Sequence, residues 1–182
     1  MGHFAPVPMT EEALDATCRN VDIILDYFGP INFYIENIAY LFRLEGTIPE
    51  AEFLSKLLRR TGCGWLLDVT NVYANAINFG FDAYEFIDEV MPAANRLQMH
   101  LAGGYFDDEV NLYIDGHSHP IPEPVFELYR HALELGNGKV DAVFIERDQN
   151  FPDDTGWRTE VREVRRIAED VCGQLKIHAT RA

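Results

Sequence analysis

The feature that most constrains the fold of this chain is a short apolar segment that runs directly into an acidic residue. In residues 65–73 (WLLDVTNVY), three large apolar side chains follow Gly64 and predict a β-strand buried on both faces. Burying the carboxylate of Asp68 without compensation would be costly. We therefore expect Asp68 at the tip of the strand, facing a cation or a hydrogen-bond partner.

Three other segments, residues 31–37, 97–101 and 142–148, follow the same pattern. In each, a short apolar run carries at or near its end one side chain that can bind a metal. Together with the first segment they form the series Glu36, Asp68, His100 and Glu146. Four strands are therefore predicted, near residues 31–36, 64–69, 97–101 and 141–146.

Predicted helices separate these strands, because apolar residues recur at spacings of three and four between recognisable helix ends. The first helix follows Thr10, the second a capping box at 47–50, and the third an Asp82 cap. A fourth begins near Pro122, and the last covers about residues 157–174. The asparagine-rich residues 71–80 are predicted to be a polar loop, and residues 110–114 a second short β-like piece.

Regular alternation of buried strands and helices predicts an α/β fold with a parallel sheet. Every candidate ligand lies at the C-terminal end of a strand or in the following loop, where barrels of this class keep their active sites. An open doubly wound sheet is the alternative, but its glycine-rich phosphate loop is missing from the sequence. We expect a single domain, residues 1–182, that supplies the C-terminal four β/α units of a TIM (β/α)8 barrel, as a fragment or a truncated copy.

The formal net charge of −15 argues against nucleic acid or an anionic membrane as a partner and is compatible with cation binding. No apolar run approaches the roughly 20 residues needed to span a bilayer, and the N-terminus does not resemble a signal peptide. The three cysteines are widely spaced and odd in number, which predicts neither a disulfide framework nor a zinc motif. These features indicate a cytoplasmic protein.

The candidate metal ligands comprise four carboxylates and two imidazoles, a mixture that suits iron, manganese or zinc. They exceed the four ligands of one structural zinc, which favours two or more ions. Asp115 and His117 belong to a loop that Gly116 allows to bend, although a polar turn is an equal interpretation. Asn37, Asn71 and Asn75 either bind a cation through an amide oxygen or stabilise loops. The six residues are Glu36, Asp68, His100, Asp115, His117 and Glu146.

Five separated motifs resemble the DUF692 family of multinuclear non-haem iron-dependent oxidative enzymes, whose members include a methanobactin biosynthesis oxidase. The motifs appear in the family's order at residues 36–37, 67–75, 100–103, 114–122 and 145–148. The sequence departs from the family pattern at Thr70, where asparagine is common, and at Gly104, where a histidine is common. The family's first four strands have no counterpart before Met1.

The resemblance implies a TIM barrel that holds two or three non-haem irons and uses O2 to oxidise cysteines of a ribosomally made precursor peptide. A partner protein often presents that peptide. The resemblance also implies catalytic roles for Asp68 and His100. The ligand pattern that it implies for this chain is Glu36, Asp68, Asn71, His100, Asp115, His117 and Glu146.

Two other interpretations remain open from the sequence. A xylose-isomerase-like barrel, which isomerises or otherwise processes sugars with bound metals, also places acids and histidines at successive strand ends. Alternatively, the chain is an inactive half-barrel that needs a complementary chain. Metal analysis separates the first alternative, since it predicts manganese, magnesium or zinc in place of several irons.

Overall fold

The computed structural model describes residues 5–179, and the side chains of its last helix as far as Gly173, so both ends of the expected 1–182 domain lie outside the described residues. The helices are α1 (Glu11–Phe28), α2 (Glu50–Thr61), α3 (Val69–Phe79), α4 (Ala83–Val90), α5 (Glu123–Leu135) and α6 (Asp154–Ala179). The strands are β1 (Tyr34–Glu36), β2 (Gly64–Asp68), β3 (Leu97–Leu101), β4 (Tyr105–Asp107), β5 (Leu112–Ile114) and β6 (Val140–Ile145).

The four predicted strands are confirmed as one parallel sheet with the order β1-β2-β3-β6. Helices separate consecutive strands, as the alternating pattern predicts. The described part of the chain is therefore an α/β fold whose parallel sheet and helices are compatible with part of a TIM-like barrel. None of the described helices is both long and apolar enough to cross a membrane.

The two faces of the sheet have different environments. Trp65, Leu67, Leu97, Met99 and Leu101 are fully buried in one hydrophobic core with residues of the helices. The residues that alternate with them lie on the opposite face, because successive side chains of a strand point to opposite sides. This opposite face, termed the open face below, carries among others Glu36, Leu66, Gln98, His100 and Phe144.

The prediction of a polar loop at residues 71–80 is wrong, because Val69–Phe79 is helix α3. Asp68 ends β2 and also caps α3, with its side chain accepting a hydrogen bond from the backbone N–H of Asn71. Asn71, Asn75 and Asn78 lie at helical spacing and donate to the backbone carbonyls of Asn37, Ile38 and Tyr113 respectively. The asparagines are thus the polar face of a buried helix, and their spacing of four and three was the signal for it.

Two smaller predictions also need correction. Helix α2 starts after Pro49, which provides no side-chain cap, so the predicted Thr47–Glu50 capping box is not formed. The β-like piece near residues 110–114 pairs with Tyr105–Asp107 in a separate antiparallel hairpin, β4–β5. Asn78 hydrogen-bonds both backbone groups of Tyr113 and so fixes this hairpin to α3.

Candidate metal centre

The register of the sheet brings the four strand-end side chains to one edge of the open face. Asp68 lies directly opposite His100, and His100 lies opposite Phe144 on β6. Glu36 lies opposite Leu66, two residues before Asp68, and Glu146 follows Phe144 by two residues. Steps of two residues keep a side chain on the same face of the sheet, so all four side chains share the open face.

Asp68 belongs to two groups of potential metal ligands. Glu36, Asp68 and His100 offer donor atoms that all lie within 4.8 Å of one another, and so do Asp68, His117 and Glu146. His100 Nδ1 lies 3.0 Å from Glu146 Oε1 and 3.7 Å from Glu36 Oε1. The arrangement has the form of two adjoining sites that share one buried carboxylate.

The loop that carries Asp115 and His117 completes the second group beside Glu146, which follows the end of β6. His117 Nε2 lies 2.9 Å from Asp115 Oδ2, and His117 Nδ1 lies 3.6 Å from Glu146 Oε2. The backbone of His117 has a φ of 46°, a left-handed conformation that is uncommon for a residue with a side chain. Its carbonyl accepts a hydrogen bond from the Asp148 N–H, which ties the loop to the segment after β6.

A buried amide network lies beneath Asp68. The Asn37 Oδ1 atom accepts hydrogen bonds from Trp65 Nε1 and the Asp68 N–H, and the Asn37 Nδ2 atom donates to the Asp68 carbonyl. Asn37 therefore uses its amide for structure and is not a candidate ligand. Asn75 is equally engaged with Ile38 and Tyr40, which supports its loop-stabilising interpretation.

The polar atoms left without partners test whether these residues fit a metal. Among the described residues, buried atoms without a hydrogen bond include Asp68 Oδ2, Asn71 Oδ1, His100 Nδ1 and Asp115 Oδ1. His100 Nδ1 lies 3.0 Å from Glu146 Oε1, a charge contact without hydrogen-bond geometry. Unpaired buried polar atoms are costly and therefore rare in native proteins. Four such atoms belong to residues of the proposed ligand set, and all are oxygen or nitrogen donors that bind transition metals. The donor set fits a metal centre.

The charges of this cluster shift its protonation in the metal-free protein. Burial, together with the Asp115 carboxylate, raises the pKa of Asp68 well above its usual value. For His100 burial acts to lower the pKa, but Glu146 and Glu36 outweigh it and raise the pKa to about 10. The hydrogen bond to Asp115 raises the pKa of His117 to about 9. Contact with His100 lowers the pKa of Glu146.

These shifts predict how the metal-free protein responds to pH. The histidine pKa values are higher in the folded than in the unfolded state, so their stabilisation is complete below about pH 6.5 and is lost as pH rises through about 9 to 10. The raised pKa of Asp68 acts in the same direction. With chelator present, the free energy of unfolding should fall by at least about 2 kcal/mol between pH 7 and pH 10, measured by urea denaturation.

The matched control for this pH experiment is His131→Asn, at a histidine that pairs with Asp88 far from the cluster. It should retain the decline, whereas a His100→Asn, His117→Asn double variant should lose most of it. Metal-loaded parent protein should show a flatter profile, since ligation requires neutral imidazoles. A metal-free parent protein that is equally stable at pH 7 and pH 10 would contradict the charge assignment.

Sequence reasoning missed one neighbour of the cluster, Phe144. It singled out Arg147 and Asp148 as residues that either pair with each other or orient a substrate carboxyl. Phe144 packs edge-on against the His100 ring, with a centroid distance of 5.6 Å, and is 47% exposed on the open face. Asp148 Oδ2 lies 3.3 Å from His117 Nδ1. Arg147 pairs with Glu160 of α6, and not with Asp148. The pairing with Glu160 had no sequence signal, because 13 residues separate the partners.

A parallel α/β sheet with a cluster of carboxylates and imidazoles at its C-terminal edge is the framework of a metal-dependent enzyme class. The chain belongs to the family described as RiPP precursor modification enzyme MbnB/TglH/ChrH, which matches residues 1–169. The resemblance noted from the five motifs is thereby confirmed.

The chain is also similar to proteins named UPF0276. It is 43% identical over 148 residues to one from Rhizorhabdus wittichii, covering 81% of this chain and 51% of the relative. It is 37% identical over 169 residues to one from Streptomyces avermitilis, covering 92% of this chain and 34% of that relative. It is 35% identical over 160 residues to one from Acinetobacter baylyi, covering 88% of this chain and 54% of that relative. The chain thus spans about half the length, or less, of these relatives.

Proposed function

We propose that this chain carries the metal centre of an iron-dependent oxidase that modifies cysteines of a ribosomally made precursor peptide, with O2 as the co-substrate. The observation that carries the proposal is the pair of ligand groups sharing buried Asp68, in a chain that belongs to a precursor-modifying family. The family membership favours this function over the sugar-processing alternative.

In this proposal Glu36, Asp68 and His100 hold one ion, and Asp68, His117 and Glu146 hold a second. Asn71 and Asp115 complete the set through their unpaired oxygens. Two or three irons would supply the redox chemistry and a binding position for a substrate thiolate. The catalytic roles are assigned to Asp68, because it belongs to both ligand groups, and to His100, because it lies on the open face of the sheet.

The protein groups have separate tasks in the proposed reaction. The raised pKa values of His100 and His117 mean that metal binding displaces their protons, and the surrounding carboxylates compensate the positive charge of the ions. The open face beside His100 offers the approach for a peptide, and exposed Phe144 provides an apolar contact there. The same face is where a complementary chain or a peptide-presenting partner would pack.

The test begins with the metal content and mass of the protein purified from its native source. We expect iron in excess of one ion per chain and, where present, a co-purifying chain that covers the open face. Incubation with O2 and a cysteine-containing peptide encoded beside the gene should consume O2 and change the mass of the peptide. Manganese, magnesium or zinc in place of iron, with no peptide product, would overturn the proposal in favour of the isomerase-like alternative.

A further inference from the structure

A buried ion pair connects the two segments that carry the second ligand group. Arg147 directly follows Glu146, and its side chain is only 3% exposed. Its Nη2 atom donates to both carboxylate oxygens of Glu160, at 2.8 and 3.1 Å. The Arg147 Nε atom is buried and has no hydrogen-bond partner within the described part of the chain. Glu160 is therefore the group that compensates this guanidinium.

Glu160 also holds the other segment. Its Oε1 atom accepts a hydrogen bond from the backbone N–H of Ile121, four residues after His117. Thus a single carboxylate on α6 is bonded both to the strand end that presents Glu146 and to the loop that presents Asp115 and His117. Its side chain is 12% exposed, so water competes little for these bonds.

Apart from the contacts of the His117 side chain, the other hydrogen bonds that attach the loop to neighbouring segments come from backbone and amide groups. His119 N–H and Ser118 N–H donate to the Gly103 carbonyl after β3, and Asn150 Nδ2 donates to the Ser118 carbonyl. These bonds attach the loop to its neighbours in the sheet edge. Only the Glu160 contact reaches a helix and includes charge, and the first ligand group has no equivalent link to α6 in the hydrogen bonds described.

We propose that Arg147 and Glu160 are positioning residues that set the distance between Glu146 and His117 and thereby tune the second metal group. This inference rests on the proposed metal centre but not on the identity of the peptide. It predicts an asymmetric effect. Disrupting the pair weakens the Asp68–His117–Glu146 group and spares the Glu36–Asp68–His100 group, whereas a role in stability alone would affect the two groups equally.

The experiment uses Co2+ as a spectroscopic probe in two backgrounds, His100→Ala and His117→Ala, which leave the second and first group respectively. Removing one partner of a buried pair strands a charge, so the main variant is the double replacement Arg147→Met, Glu160→Met, which removes both charges at similar volume. In the His100→Ala background, which leaves the second group, we expect the double replacement to weaken Co2+ binding about 10–100-fold and to alter the ligand-field bands. In the His117→Ala background binding should be unchanged.

Two further variants guard against a folding artefact. Glu163→Gln removes the exposed partner of Arg166 on the same helix and should leave both groups unaffected. Arg147→Lys keeps a charge for Glu160 and should restore much of the lost affinity. Equal Co2+ affinity of parent and double variant in the His100→Ala background, or equal weakening in both backgrounds, overturns the positioning role. Absence of Co2+ binding in the parent protein overturns the metal centre and this inference with it.

Discussion

Replacing Asp68 with asparagine is expected to abolish metal binding at both groups and, at the same time, to stabilise the metal-free protein. Asp68 is the one residue common to both sets of donor atoms, so its carboxylate supports each ion. We expect both affinities to fall by more than about 100-fold, because loss of a direct ligand exceeds the effect of outer contacts. Iron quantification and Co2+ titration measure this directly.

The stabilisation arises from the same burial. The carboxylate is fully buried and its pKa is raised by that burial and by Asp115, so its charge is costly when no cation is present. An asparagine retains the oxygen that accepts from the Asn71 N–H, and its Nδ2 can donate to neighbouring carboxylates. We expect a gain of about 1 kcal/mol in the free energy of unfolding at pH 7 with chelator present.

The control for this substitution is Asp82→Asn, the same chemical change at the N-cap of α4, where the side chain is exposed. It should leave metal content unchanged. The Asp68→Ala variant should also lose the metal. In contrast to Asp68→Asn, it should lower the free energy of unfolding by about 1 kcal/mol, because it removes the cap of α3. His100→Ala and His117→Ala should each empty one group. Unchanged iron stoichiometry in Asp68→Asn and His100→Ala would refute the site.

Replacing Asn37 with alanine is expected to be the most destabilising single change near the site. It removes one acceptor and one donor that together satisfy Trp65 Nε1, the Asp68 N–H and the Asp68 carbonyl. Each buried group left without a partner costs about 1–3 kcal/mol, so we expect a loss of about 3 kcal/mol or more. That is a large part of a typical margin of about 5–15 kcal/mol.

Urea denaturation of metal-free protein measures the Asn37 effect, with Asn78→Ala as the matched control. Asn78 also makes two hydrogen bonds to backbone groups, but at a partly exposed position, so its loss should be smaller. Combining Asn37→Ala with Trp65→Phe removes the indole donor as well and should cost less than the sum of the two single changes. Equal losses in Asn37→Ala and Asn78→Ala would argue against the buried network.

The sequence by itself determined the strands and the identity of the candidate ligands. Residues 65–67 and their three counterparts are mainly apolar segments of strand length, and a parallel sheet gathers its strand ends at one edge. Glu36, Asp68, His100 and Glu146 could therefore be predicted to converge. Local patterns fix neither the closure of a barrel nor the identity of a bound ion, because both depend on contacts between distant segments.

Only the tertiary structure decided how the intervening residues are used. The asparagines of α3 resemble loop residues in sequence, yet they lie in a helix that Asp68 caps. Their side-chain amides donate hydrogen bonds to backbone carbonyls of the segment after β1. The Asn37 network and the Arg147–Glu160 pair likewise join residues far apart in the chain. A buried polar group has to find a partner wherever the fold supplies one, and the location of that partner is set by packing and not by spacing along the chain.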